Sequence, residues 1–283
     1  MELPHIVLVG HITRDLLPEG SRPGGSVVYG AHVAAHWGYR PAVLTATANA
    51  AEARSALPAT TLLHIVPSDS TTTFRNEGSH PRRQRVSAIA APLPALALPP
   101  RWREAPVFLL APVIGEIGPH FLRDVAPGGI TGVCLQGWLR TTDREGTVHP
   151  VDAATLDLPA LLPRATAVVL SDEDLAGTAD GETFLHDLQQ RSTYVLLTRG
   201  KGGVRLLTPN ARYDLPALPA RPVDTTGAGD VFATAFLLGL AAGQTAPDAA
   251  MLAQAASARS IEGEGVSAIP TLEEAHRTLA GAA

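Results

Sequence analysis

The amino-acid sequence predicts a doubly wound α/β fold with a mostly parallel central sheet and a small additional β flap. Short apolar runs recur as continuous stretches, which is typical of parallel strands that are buried on both faces. Helical patterns fall between these runs, as expected where helices cover both faces of one sheet. The predicted strands are 6–9, 42–45, 107–110, 132–135, 167–170 and 194–198, and the predicted helices are 26–37, 116–125, 182–190 and 231–240.

Two stretches depart from this alternation. Residues 71–76 and 84–89 are β-type segments separated by a short polar stretch with glycine and proline, 78–81, which predicts a hairpin. We expect segments 11–22 and 71–89 to form a small β lid within a single domain that spans residues 1–283.

Composition narrows the classes of function. The chain has 283 residues, of which 45% are hydrophobic, and this is enough to bury a large core. Its net charge of −5 and the lack of a basic run argue against nucleic acid as a partner. The single cysteine, Cys134, rules out an internal disulfide and a cysteine-rich zinc site. No signal-peptide pattern and no apolar stretch of roughly 20 residues is present, so we expect a cytoplasmic protein without a membrane partner.

The most informative segment is a glycine-containing loop, Asp224-Thr-Thr-Gly-Ala-Gly-Asp230, that runs into an apolar helix. Gly227 and Gly229 leave backbone N–H groups free to face a ligand, and a helix N-terminus attracts anions. Asp230 would lie in the first turn, where a carboxylate could take the proton of a hydroxyl that attacks a phosphoryl group. A helix cap alone would also favour an aspartate there, but the whole seven-residue string is more specific than a cap.

This string resembles the C-terminal D-T-x-G-A-G-D signature of the ribokinase, or PfkB, family of carbohydrate kinases. A second similarity lies near the N-terminus, where Pro23-Gly24-Gly25-Ser26 precedes a helix of small residues that ends at Gly38. The resemblance implies a ribokinase-like fold and an ATP-dependent kinase of a small sugar or polyol, monomeric or homodimeric, with ATP and Mg²⁺ as cofactors.

The resemblance also implies roles for individual residues. In the family the last aspartate of the signature is the catalytic base, and the Gly-Ala-Gly before it is the anion hole. The corresponding residues here are Asp230 and Gly227, Ala228 and Gly229. A T-x-G-x-x-G loop after a buried strand binds the nucleotide in the family, and such a turn is also where doubly wound folds bind ligands, although these glycines would suit a simple β-turn as well.

The nucleotide is further expected near the helix that Thr245 would cap, although a purely structural role for that helix stays open. The residues assigned to the nucleotide are Thr198, Gly200, Gly203, Thr226, Gln254 and Ser257.

On the substrate side, family members hold hydroxyl groups with an aspartate after the first strand and with the Gly-Gly turn. The corresponding residues are Asp15, Gly24, Gly25, Ser26 and Tyr29. A buried carboxylate that accepts two hydroxyl groups suits a polyol. The alternative for Asp15 is a loop residue paired with Arg14 or Arg22.

Two departures from the family pattern bear on the substrate. Ser26 stands where many members have asparagine, which argues against a furanose such as ribose. The N-x-x-E motif of the family is replaced by Ser171-Asp-Glu-Asp174, so Mg²⁺ would be held by ATP phosphates and water, with Asp172 and Asp174 as the nearest candidate carboxylates.

These departures, together with segments 115–117 and 135–140, are similar to the inositol-kinase branch and imply a cyclitol such as myo-inositol. Gln136 and Arg140 are then candidates for the substrate side, with a strand-end amide and a surface charge as the alternatives. A nucleoside, ribose or fructose kinase stays open, as does a non-catalytic sugar- or nucleotide-binding protein on the same fold. A dinucleotide-dependent oxidoreductase is excluded because the turn after the first strand has one glycine where the motif needs three.

Overall fold

A nine-stranded sheet forms the centre of the computed structural model, which describes residues 3–77, 83–163 and 165–282. A four-stranded sheet and a two-stranded sheet lie beside it. The strands are β1 (Ile6–Val9), β2 (Thr13–Leu17), β3 (Gly20–Gly24), β4 (Pro41–Thr47), β5 (Leu62–Pro67), β6 (Thr73–Glu77), β7 (Arg83–Ala88), β8 (Val107–Leu110), β9 (Ile130–Cys134), β10 (Arg140–Thr142), β11 (Val148–Pro150), β12 (Ala167–Ser171), β13 (Tyr194–Thr198), β14 (Val204–Leu207) and β15 (Arg212–Leu215). The α-helices are α1 (Ser26–His36), α2 (Ala50–Ser55), α3 (Phe121–Val125), α4 (Leu158–Leu161), α5 (Gly181–Gln189), α6 (Ala228–Ala241), α7 (Ala246–Ser260) and α8 (Leu272–Ala280).

The central sheet has the strand order β15-β14-β13-β12-β9-β8-β1-β4-β5. The seven strands from β13 to β5 are parallel, whereas β14 and β15 add an antiparallel edge. The carboxyl ends of the parallel strands therefore meet at one edge of the sheet, which is where doubly wound folds place ligands. The predicted fold class is confirmed.

Strand β1 shows why the apolar runs are continuous. Ile6 and Leu8 point into a core that includes residues of α1, α6 and α7, whereas Val7 and Val9 point into a second core with residues of α3 and α5. All four side chains are fully buried. Because successive strand residues face opposite sides, a strand covered on both faces must be apolar throughout.

Each of the six predicted strands coincides with or overlaps a strand of the central sheet. The predicted helix over 116–125 is wrong in its first half, since only Phe121–Val125 is α-helical. Gly118 and Pro119 disfavour an earlier start, and the Glu116 carboxylate accepts hydrogen bonds from non-helical backbone. Strands β5, β14 and β15 were not predicted, and each has half-buried or exposed positions that break the continuous apolar pattern.

The small sheet has the order β3-β2-β6-β7 and contains the predicted hairpin as β6 and β7. The connecting residues 78–81 lie outside the described residues. Strands β2 and β3 form a second hairpin, and β2 also pairs in parallel with β6. The β10–β11 hairpin adjoins β7, because the N–H of Val86 donates to the carbonyl of Gly146 at 2.7 Å.

In the part of the chain that the structure describes, no helix combines the length and the apolar character needed to cross a bilayer.

Candidate active site

The glycine-containing loop leads directly into α6, as predicted. Gly227 is the N-cap of this helix and has a φ of +80°, in the left-handed region that favours glycine. A β-carbon there would lie 2.3 Å from Cδ1 of Tyr29, so the close approach of that ring also requires glycine. Gly229 is exposed, and the N–H groups of the first turn have no acceptor within the helix. This helix end therefore presents amide donors to a ligand from solvent.

Asp230 is the third residue of α6 and is half-buried. Burial raises its pKa from 3.8 to about 6. The hydroxyl of Ser26 donates a hydrogen bond to its carboxylate, and this bond and the charge of Arg140 oppose the rise, whereas the negative charge of Asp174 adds to it. A carboxylate with this pKa is ionised at neutral pH and still basic enough to accept a proton in a transition state.

Asp224, the first residue of the signature, has the opposite character. Burial disfavours its charge, but hydrogen bonds from Thr226, Arg22 and the N–H of Gly265 outweigh burial and lower its pKa to about 2. The N–H of Thr226 lies 3.0 Å from Oδ1, and Nη1 of Arg22 lies 2.7 Å from Oδ2. Asp224 therefore holds the loop in place as a permanent anion.

The Gly-Gly turn begins α1, the helix whose Tyr29 packs on Gly227 of the signature loop. Gly25 is the N-cap of α1 with a φ of +93°, and a β-carbon on it would lie 2.3 Å from the carbonyl oxygen of His11. A β-carbon on Gly24 would lie 2.6 Å from Oδ2 of Asp15, which is itself buried. Asp15 is paired in register with Arg22 across β2 and β3, so both side chains lie on one face of the small sheet.

Tyr29 connects the two glycine-containing segments. Its ring packs on Gly227, its side chain is 2% exposed, and its hydroxyl has no hydrogen-bond partner among the described residues. Burial raises the pKa of this hydroxyl, and the charges of Arg22, Asp224, Asp230 and Asp15 act on it. The structure thus brings the predicted substrate residues and the signature into one cluster, with an unsatisfied hydroxyl inside it.

The other two substrate candidates differ in what supports them. Arg140 is half-buried in β10, its Nη1 donates to Oε1 of Gln84 at 3.2 Å, and its charge acts on Asp230. Gln136 lies in the turn after β9, where its main-chain carbonyl accepts the N–H of Leu139. Arg140 therefore belongs to the cluster by its electrostatic contact, and Gln136 stays a candidate by its position at the sheet edge.

The predicted nucleotide loop lies at the carboxyl end of β13. Thr198 ends the strand, and Gly200 and Gly203 have φ values of +49° and +78° in the turn to the antiparallel β14. A β-carbon on Gly203 would lie 2.0 Å from the carbonyl oxygen of Leu215. The segment is thus a tight hairpin turn, which accounts for Gly203, and it also lies at the ligand-binding edge of the sheet.

Gln254 and Ser257 make contacts within the protein. Nε2 of Gln254 donates to the carbonyl of Pro216 at 2.9 Å, and the hydroxyl of Ser257 donates to the carbonyl of Ala228 at 2.9 Å. The first contact fixes the segment before the signature and the second fixes the first turn of α6. These contacts support the structural alternative for the two residues.

The two candidate magnesium residues differ in their burial. Asp172 is exposed and caps a short 3₁₀ turn, whereas Asp174 is buried, accepts the N–H of Ser171 at 2.8 Å and acts on Asp230. No cluster of three or more histidine, cysteine or carboxylate side chains suited to a metal occurs within residues 3–77, 83–163 and 165–282. A magnesium ion would therefore depend on phosphate and water oxygens, with Asp174 as the buried carboxylate whose charge acts on Asp230.

Two residues that position the site were not predicted. Arg22 binds the signature loop from the small sheet. Glu116 is buried, and its carboxylate accepts the N–H groups of His11, Val113 and Ile114 at 2.8–3.0 Å. Glu116 thus joins the loops after β1 and β8, and the signals for it were its single charge within an apolar segment and the similarity of segment 115–117 to the inositol-kinase branch.

A doubly wound sheet with amide donors at a helix N-terminus and an adjoining carboxylate of raised pKa is an arrangement that suits the binding of an anion such as phosphate. A family model described as pfkB family carbohydrate kinase matches residues 143–273, which include the signature. Inositol 3-kinase of Zea mays is 32% identical over 155 residues, which are 54% of this chain and 39% of the relative. Fructokinase of Klebsiella pneumoniae is 34% identical over 135 residues, 43% of this chain and 44% of the relative.

The chain is thus matched to less than half of the length of these relatives. Among solved structures, a pyrophosphate-dependent kinase in the ribokinase family, complexed with a pyrophosphate analog and myo-inositol, superposes with a TM-score of 0.80 at 19% identity, covering 96% of this chain and 99% of that one. The fold is therefore ribokinase-like, and residues 143–273 of the chain are similar to the pfkB family of carbohydrate kinases.

Proposed function

We propose that this protein transfers the terminal phosphoryl group of ATP to a hydroxyl group of a small sugar or polyol. The observation that carries the proposal is the half-buried Asp230, with a pKa of about 6, in the first turn of α6 beside the amide donors of Gly227–Gly229. A base and an anion site are then adjacent, as phosphoryl transfer requires.

The residues have separate tasks in this reaction. Asp230 accepts the proton of the acceptor hydroxyl. The oxygen of that hydroxyl forms a bond to the terminal phosphorus of ATP, and the bond between this phosphorus and ADP breaks. The amide groups at the start of α6 stabilise the charge on the transferred oxygens. Mg²⁺ bound to the donor phosphates would neutralise further charge, with Asp174 as the candidate protein carboxylate, since it is buried and its charge acts on Asp230. We infer that the small sheet acts as a lid that excludes water from this step.

The acceptor that these contacts suit is a polyol with several adjacent hydroxyl groups. Asp15 can accept two of them, the unpartnered hydroxyl of Tyr29 can bind another, and Arg140 lies close to the base. We propose a cyclitol such as myo-inositol as the substrate, because the cluster has an aromatic residue and a serine after the Gly-Gly turn and because an inositol 3-kinase is among the relatives. Fructose, ribose and nucleosides are the competing acceptors.

One observation is a reason to test inorganic pyrophosphate as a second phosphoryl donor. Gln254 and Ser257, which were assigned to the nucleotide, use their donors within the protein, so these two side chains do not support an adenine site. Inorganic pyrophosphate offers the same transferable group without a base, and the turn of Thr198–Gly203 would then have a structural role.

The test is a screen of purified protein against cyclitols, sugars and nucleosides, with ATP or pyrophosphate as donor and Mg²⁺ present. Phosphorylated product is detected by mass spectrometry, which does not depend on the donor. We expect turnover with ATP and the fastest rate with a cyclitol. Calorimetric binding of polyols without any phosphorylated product would instead identify a non-catalytic binding protein.

A further inference from the structure

Arg22 extends from the small sheet to the signature loop about two hundred residues later in the chain. Its Nη1 lies 2.7 Å from Oδ2 of Asp224, and its Nη2 donates to Oγ1 of Thr226 at 3.4 Å. The two charged side chains are 25% and 16% exposed, so the pair is largely withdrawn from water. Such a pair is costly to break, because removal of one partner leaves the other charge buried.

The negative charge of Asp224 disfavours the binding of an anion by the signature loop. This carboxylate is ionised across the physiological pH range, and it lies three residues before Gly227, where an anion is expected to bind. A like charge beside an anion site weakens anion binding, most strongly where water is excluded. Arg22 supplies the compensating charge directly at the carboxylate.

A separate observation indicates that a ligand group enters beside this pair. The Tyr29 hydroxyl is buried without a partner, and the charges of Arg22, Asp224 and Asp230 all act on it. Nε of Arg22 is also buried without a partner among the described residues. Buried polar groups are almost always hydrogen-bonded, so two unsatisfied donors in one cluster point to a partner that comes from a ligand.

We propose that Arg22 is a positioning residue of the phosphoryl-donor site that acts through Asp224. It cancels the charge of this carboxylate and holds the small sheet on the signature loop, so that the amide donors at the start of α6 are available to an anion. The inference rests on the proposed function in that the anion is taken to be the phosphoryl donor.

The test is a double-mutant cycle with Arg22→Gln, Asp224→Asn and the combination of the two. Pyrophosphate binding is measured by calorimetry, since it reports on the anion site without turnover, and kcat/KM for ATP is measured in parallel. Arg22→Gln is expected to weaken both by about tenfold to a hundredfold, because it uncovers a buried negative charge. In the Asp224→Asn background the same change is expected to cost about threefold or less, since no charge is left to cancel.

Arg14→Gln is the matched control. Arg14 is on the adjacent strand of the small sheet and pairs with Glu52 of α2, with Nε 3.0 Å from Oε1, but it lies on the opposite face from Asp15 and Arg22. Its removal should leave pyrophosphate affinity within about twofold. If the small sheet has a structural role alone, Arg22→Gln and Arg14→Gln should change the pyrophosphate affinity to a similar extent.

The outcomes separate this inference from the proposed function. A loss of affinity in Arg22→Gln that is equally large with and without Asp224→Asn would overturn the inference while turnover of the wild type stands. Absence of wild-type turnover with every acceptor would overturn the proposed function, whereas the pyrophosphate cycle would still decide the role of Arg22. If Arg22→Gln does not fold, Arg22→Lys and the uncharged double variant decide it. Near-normal pyrophosphate affinity in Arg22→Lys, with the double variant within about threefold of Asp224→Asn, supports the inference, and a hundredfold loss in the double variant relative to Asp224→Asn refutes it.

Discussion

Replacement of Asp230 by asparagine should stabilise the protein at neutral and alkaline pH while it removes the proposed base. Burial raises the pKa of Asp230 from 3.8 to about 6, so the folded state binds this proton more tightly than the unfolded state does. Stability from this group is therefore full below about pH 4 and is lost as the pH rises to about 6. The difference corresponds to at most about 3 kcal/mol, and we expect about 1–3 kcal/mol because the side chain keeps some contact with water.

The assay is urea denaturation of wild type and Asp230→Asn at pH 4, 6 and 8. Asparagine keeps an oxygen that can accept the hydroxyl of Ser26, so the hydrogen bond is retained while the charge is lost. We expect the variant to be more stable at pH 8 and equal to the wild type near pH 4. Asp187→Asn, the same change at an exposed position of α5, is the control and should have little effect at any pH. Equal stability of wild type and Asp230→Asn at pH 8, or a difference that does not vary with pH, would refute the reasoning.

Three further predictions follow from single contacts. Because the Ser26 hydroxyl holds the pKa of Asp230 down, Ser26→Ala should move the midpoint of the kcat/KM–pH profile from about 6 to a higher pH; an unmoved midpoint contradicts the contact. Glu116→Ala should cost about 3–5 kcal/mol in denaturation because it leaves buried N–H groups unpaired, and Glu116→Gln should cost less; equal losses contradict this. Gly227→Ala should destabilise the fold, whereas Gly229→Ala, whose β-carbon meets nothing within 4 Å, should not; thermal melts compare the two.

The signature and the Gly-Gly turn could be predicted because their requirements are local. Gly227 needs a left-handed φ, Gly25 needs another, and the apolar helix after Asp230 is evident from the sequence alone. Their contact is long-range, but each segment pointed to the same chemistry, and the structure places them together through the ring of Tyr29 on Gly227.

The contacts that the sequence could not show join residues far apart in the chain or use backbone partners. Arg22 and Asp224 meet because the small sheet covers the signature loop, and nothing local marks that pairing. Glu116 accepts hydrogen bonds from N–H groups of two loops. Because these bonds hold non-helical backbone, the first half of the predicted helix is irregular chain. Gln254 was placed on a helix correctly, but the carbonyl that takes its amide belongs to Pro216, 38 residues away.

In the small sheet, too, a local feature could be predicted from the sequence and a long-range pairing could not. The hairpin of β6 and β7 follows from two β-type segments around a short turn with glycine and proline, so it could be predicted. The parallel pairing of β2 with β6 joins distant segments and could not. The register of β2 with β3 places Asp15 and Arg22 on one face of this sheet, and from that face Arg22 reaches Asp224 of the signature.

The most direct test of the account is phosphoryl transfer by Asp230→Asn, measured with the best acceptor and donor at pH 8 alongside calorimetric binding of the same donor. We predict that turnover falls by at least about a hundredfold while the donor dissociation constant changes by less than about threefold, because the amide donors of the loop remain in place. Turnover within about tenfold of the wild type would contradict the assignment of Asp230 as the base and, with it, the proposed chemistry of the site.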